Sequence, residues 1–79
     1  MDRTKYIIEI KHRVFIRAME RQITPDRIED TINNGRIELF GNDRLKFIKQ
    51  GNKKSLICIC EIRGLKISIF TIETKGDEL

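Results

Sequence analysis

The chain has 79 residues, 39% of them apolar and 35% charged, with one Pro. That allows one domain around one core and excludes a second lobe, and the composition is globular rather than disordered. The net charge is +4, and no apolar run reaches the ~18 residues that a transmembrane helix needs.

The positive charge is concentrated. Arg44, Lys46, Lys49, Lys53 and Lys54 fall in a stretch with no acidic residue. Such a patch attracts polyanions by Coulomb forces and counterion release; the same cations could equally serve as a solvated hairpin that keeps the protein soluble.

Taken in chain order, Tyr6 to Ile10 is β-branched and aromatic, and reads as a short strand or an extended lead-in. The first eleven residues alternate charged and apolar groups, so no signal peptide is expected. His12 to Gln22 reads as a helix, with Val14, Phe15, Ala18 and Met19 forming one apolar stripe. Thr24 to Gly35 is a helix with both ends written in the sequence. Thr24 is the N-cap and Pro25 the first helical residue, Asp26 complements the dipole, and Ile23 and Ile28 form a hydrophobic staple. Asn33-Asn34-Gly35 supplies a left-handed stop.

After Gly35 the period becomes alternating. Arg36 to Phe40 is a strand with Ile37 and Leu39 on one face. Arg44 to Lys49 follows, with Leu45 and Phe47 on one face and Arg44 and Lys46 on the other. Ser55 to Ile62 is apolar on both faces, as expected of a central strand covered on both sides. Leu65 to Glu73 is the last strand. The fold class is thus α+β: two N-terminal helices packed on a four-stranded antiparallel meander, with residues 1–4 and 75–79 of this single domain frayed.

Cys58 and Cys60, two apart on a strand, point the same way and do not readily bond to each other. They read as small core residues of a protein in a reducing compartment, the cytoplasm. No His/Cys/acid cluster has metal-ligand spacing, and no cofactor motif is present. On the first helix Arg13, Arg17 and Arg21 are spaced by four and four and stack in one row. A row of guanidinium groups suits phosphates, although arginine stems also cover apolar surface on solvated helix faces. Glu20 can pair with Arg17 or Arg13. His12 is the one histidine, the natural candidate for acid–base work, but lies about 140° round the helix from Arg17.

The stretch Arg17-Ala18-Met19-Glu20-Arg21-Gln22-Ile23-Thr24, followed by Ile28, Ile32 and Gly35, resembles a prokaryotic domain-of-unknown-function family similar in layout to RelE-type toxins. That family's motif sets His-Ala ahead of Arg-Met-x-Glu-Arg-x-Ile; here Arg13 occupies the histidine position and His12 comes one residue earlier. The resemblance implies a small basic α+β domain acting on RNA as a metal-independent endoribonuclease, with no cofactor and often with an antitoxin partner. On that reading Arg17 and Arg21 hold phosphate beside Arg13, and His12 is the acid–base candidate. Arg44, Lys46, Lys49, Lys53 and Lys54 add RNA-binding charge. The alternative is a non-catalytic basic module that binds nucleic acid or a protein partner. If the first reading is right, the arginine row and Lys46 should line one groove.

Overall fold

The strand at the start of the chain decides the topology. The structure, a computed structural model, describes residues 2–76. A short 3-10 turn (Arg3–Lys5) leads into β1 (Ile7–Ile10), α1 (His12–Glu20) and α2 (Pro25–Asn34). Four strands follow: β2 (Arg36–Phe40), β3 (Arg44–Gln50), β4 (Lys54–Arg63) and β5 (Lys66–Gly76). They form one five-stranded sheet in the order β1-β5-β4-β3-β2. β2 to β5 pair antiparallel in sequence order. β1 pairs in parallel with β5, Ile7 against Lys66 and Ile10 against Ile69.

The expected four-stranded antiparallel sheet behind two N-terminal helices is therefore corrected. The sheet has five strands and is mixed, and the helices lie in the middle of the chain. The reason is long-range pairing. Tyr6 to Ile10 has the composition of a strand, but its partner is at the other end of the chain, and local pattern does not reveal it. β5 also outlasts the expected end of the last strand: Lys75 pairs with Ser55 and Gly76 with Lys54. Lys75 and Gly76, expected in the tail, are thus strand residues; positions 77–79 lie outside the described residues. At the other end, Asp2 caps the 3-10 turn by accepting from Thr4 N at 3.0 Å. Arg3 Nη1 and Nη2 donate to the carbonyls of Ile32 and Gly35 at 2.5 and 2.9 Å. Residues 2–4 thus carry hydrogen bonds of their own, while position 1 lies outside the described residues. Arg3 brings a cation to the negative end of the α2 dipole and satisfies carbonyls that the helix leaves over.

Both helices cover the same face of the sheet. Ala18, Ile23, Ile28 and Ile32 meet Leu45, Phe47, Leu56, Cys58, Cys60, Ile67, Ile69 and Ile72. Val14 and Met19 pack against this core from α1. The second face of β4, with Ile57 and Ile59, carries no helix and is only half-buried. The expectation that β4 is covered on both sides is corrected: its second row of isoleucines is shielded by strand neighbours alone. Cys58 and Cys60 are buried, unbridged and in the core, as their spacing indicated.

The helix ends reward a closer look. Thr24 Oγ1 accepts from Arg27 N at 3.2 Å, and Ile23 and Ile28 are both buried, so cap and staple are present. Gly35 has φ −72° and ends α2 in an extended conformation rather than the expected left-handed one. It is needed for a different reason. A Cβ here would collide with the carbonyl oxygen of Thr31 and lie 2.9 Å from that of Ile48. The left-handed residue is instead Gln22, φ 64°, after α1. Ile23 N donates to Ala18 O at 2.9 Å and Gln22 N to Met19 O at 3.0 Å, which together form a Schellman motif.

These two positions should respond in opposite directions. Gln22→Gly removes a left-handed strain worth ~1–2 kcal/mol, part of which the added freedom of the unfolded chain cancels. A net gain of about 1 kcal/mol is expected, a rise in Tm of roughly 4–8 °C. Gly35→Ala forces two backbone segments apart and should cost about 1–3 kcal/mol, as overpacking does. Denaturant titration of both variants checks the signs.

Candidate nucleic-acid interface

The uncovered face of the sheet can be read as rows across the strands. Phe40, Arg44, Glu61 and Ser68 make one row, from β2 to β5. Glu38, Lys46, Ile59 and Thr71 make the next, and Arg36, Ile48, Ile57 and Glu73 the third. The middle is a half-buried apolar strip of Ile48, Ile57 and Ile59. Around it stand two aromatic rings, each with a cation over it. The Lys46 ammonium is 5.1 Å from the Phe40 ring centre, and the Arg44 guanidinium is 5.4 Å from that of Phe70. Both distances suit a cation–π contact.

Among the described residues neither Arg44 nor Lys46 has a carboxylate partner, whereas other cations do. Arg36 pairs with Glu38 at 3.4 Å, Arg63 with Glu61 at 2.7 Å and Lys66 with Glu9 at 3.0 Å. The bond from Lys66 holds the Glu9 carboxyl below its ordinary range. A cation resting on a ring keeps its full charge for an incoming anion.

The five basic residues read as one patch are divided by the fold. Arg44 and Lys46 lie on the open face. Lys49 alternates to the helix-covered face, where Asp30 of α2 meets it at 3.3 Å. Lys53 and Lys54 sit at the far end of the β3–β4 hairpin, where Arg27 Nη2 donates to Lys54 O at 2.6 Å. Six residues of β3, Leu45 to Gln50, separate that tip from Arg44, about 20 Å of strand.

Arg13, Arg17 and Arg21 do share a groove. It lies between α1 and the outer edge of β5, has a volume of about 370 Å³, and is also lined by Phe70, Thr71, Ile72 and Glu73. All three arginines are exposed, and among the described residues none forms an ion pair; Glu20 pairs with neither Arg13 nor Arg17. His12 is the exposed first residue of α1 and does not line this groove. Lys46 is on the opposite side of the sheet, in a hollow with Arg36, Ile48, Ile57 and Lys75. The arginine row, the histidine and Lys46 are therefore not brought together.

Among the described residues no group of three or more His, Cys, Asp or Glu side chains is placed to hold a metal ion, and no helix is long and apolar enough to cross a membrane. No protein-family model, curated protein or solved structure matches the chain.

The residues that sequence reading missed are Phe40 and Phe70. Both fall on the polar face of otherwise alternating strands. An aromatic residue in register with Arg or Lys on the face opposite Leu45 and Phe47 was the available signal for Phe40. Phe70 was masked by a register shift between β4 and β5 next to Ile59 and Cys60.

Burial pushes both thiols up to about 12, and for Cys60 the neighbouring Cys58 adds to the effect. Nucleophilic thiolate is therefore scarce in the folded protein. Native protein at pH 8 should leave both cysteines unmodified by a thiol-reactive disulfide reagent, and denaturant should release two reactive thiols. The unfolded thiols ionise near 9.0, so their stabilising contribution is full below that pH and declines as pH rises towards 12.

Proposed function

We propose that this domain binds single-stranded RNA on the open face of its sheet, as a non-catalytic basic module. The observation that carries the reading is the pair of carboxylate-free cations held over Phe40 and Phe70 on a sheet face that no helix covers. Unpaired bases stack on aromatic side chains, and cations alongside take the phosphates. By strand order the residues bearing the two rings are three strand spacings apart, about 14 Å, with Arg44 and Glu61 between them and the isoleucine strip to one side. A duplex offers its bases only edge-on, so a stacking surface favours unpaired strands.

Cleavage is the reading of the RelE-type resemblance, and it asks the arginine row, His12 and the strand-borne lysine to act on one phosphate. Their separation around the fold favours binding alone. The free buried thiols fit the reducing cytoplasm as the setting.

Fluorescence anisotropy of a labelled oligouridine of about ten nucleotides tests this. Phe70→Ala and Phe40→Ala should each weaken binding by about 1–3 kcal/mol, the worth of one stacked base. Lys46→Ala should lower the salt slope by about 0.7, the value for one phosphate on a single strand. RNA incubated with the protein in chelator should stay intact. Binding that ignores both phenylalanines, or RNA cleaved in a manner that Arg17→Ala abolishes, would refute the proposal.

A further inference from the structure

The groove under the arginine row has a second property that the open face lacks. β5 has eleven residues, but β1 covers its outer edge only from Lys66 to Ile69. The last contact on that side is Lys11 N donating to Ile69 O at 3.2 Å, after which the chain turns away into α1. From Phe70 to Gly76 no backbone hydrogen bond reaches the outer edge of β5 among the described residues. Unpaired N–H and C=O groups of a strand are a template for another strand. Directly beside this stretch, Arg13, Arg17 and Arg21 line the same groove as Phe70, Thr71, Ile72 and Glu73.

We infer that this groove docks an extended acidic segment of a protein partner, which adds as a sixth strand alongside residues 70–76 of β5. The two features select the occupant jointly. Backbone groups along a strand edge repeat at the spacing of another peptide backbone, which a nucleic acid does not share, so the edge argues for a peptide. Three arginines without carboxylate partners face one acid in the groove, Glu73, so charge complementarity argues for Asp or Glu at alternating positions. Arg17 and Arg21 sit in the last turn and at the C-cap of α1, where the dipole holds cations in place. The β1 strand occupies the first part of the same edge, so the incoming segment continues a row of pairing that the protein itself has begun.

The groove borders the RNA face at Phe70, Thr71 and Glu73, its arginines lie outside that face, and the two are tested in one preparation of the full chain. The probes are a labelled peptide of about ten residues alternating Glu and Val, the same peptide with alternate backbone nitrogens methylated, and labelled oligouridine. The unmethylated peptide should bind and slow amide exchange at Ile72 and Thr74, whose backbone groups face away from β4. The methylated peptide, with equal charge but half its donors removed, should bind at least tenfold more weakly. Arg17→Glu should weaken the peptide at least tenfold and leave oligouridine affinity within twofold, which also shows that the variant is folded. Equal binding of both peptides, or unchanged exchange at Ile72 and Thr74, would overturn strand addition. Loss of oligouridine rather than peptide in Arg17→Glu would assign the groove to RNA.

Discussion

The chain finishes β1 at one edge of the sheet and must begin β2 at the other, and everything else follows from that crossing. Five strands set side by side put the two edges about 19 Å apart. The helices available for the journey have 9 and 10 residues, about 14 and 15 Å long. Neither helix alone spans that distance, so both serve the one crossing, and both lie on the same face of the sheet. The whole core is consequently on one side, and the other side of the sheet has no element left to cover it. Arg3 and Gly35 secure the far end of the crossing. Arg3 ties the entry of β1 to the last carbonyls of α2, while Gly35 lets α2 approach the carbonyl of Ile48 in β3 closely enough to drop straight into β2.

The same constraint sorts the charges. Lys49 faces the helices and is met by Asp30, whose carboxyl is held low first by the bond from Asn34 and then by Lys49. These exposed pairs add little to stability; their importance is in deciding which cations remain available. Of the cations that remain, Arg44 and Lys46 stand on the open face, Arg13, Arg17 and Arg21 line the edge groove, and Lys53 and Lys54 stand at the hairpin tip. The excess of positive charge is therefore not one surface, and its two best-defined clusters face different ways.

Much of this was legible in the sequence where the determinant was local. The N-cap at Thr24, the staple of Ile23 and Ile28, the core face of Leu45 and Phe47 and the burial of Cys58 and Cys60 depend on spacing within a few residues. So does the arginine row, which does line one groove. What local pattern could not supply was anything that depends on a distant partner. β1 looks like a strand, yet only β5 makes it one. Lys49 belongs to the same cationic run as Lys46, yet the alternation of β3 sends it to Asp30. Ile57 and Ile59 look like a covered face because apolar content signals burial, but strand neighbours bury them halfway without any helix. Gly35 was assigned to the end of α2 for its conformational freedom, when its missing side chain is what the packing uses.

A sheet covered on one side presents two kinds of surface, and their chemistries differ. A face offers side chains, and here it offers rings and unneutralised cations that suit flat, charged polymers. An edge offers backbone, and here β1 stops after Ile10 while β5 runs on to Gly76. Proteins usually blunt such an edge with a charge, a bulge or a covering element. β5 carries a register shift at Phe70 and Thr71, yet the helix above it sets cations over the uncovered stretch instead of closing it. Cations placed beside an open edge repel basic strands and attract acidic ones, so on the proposed reading the arginines that leave the edge open also select a partner of opposite charge.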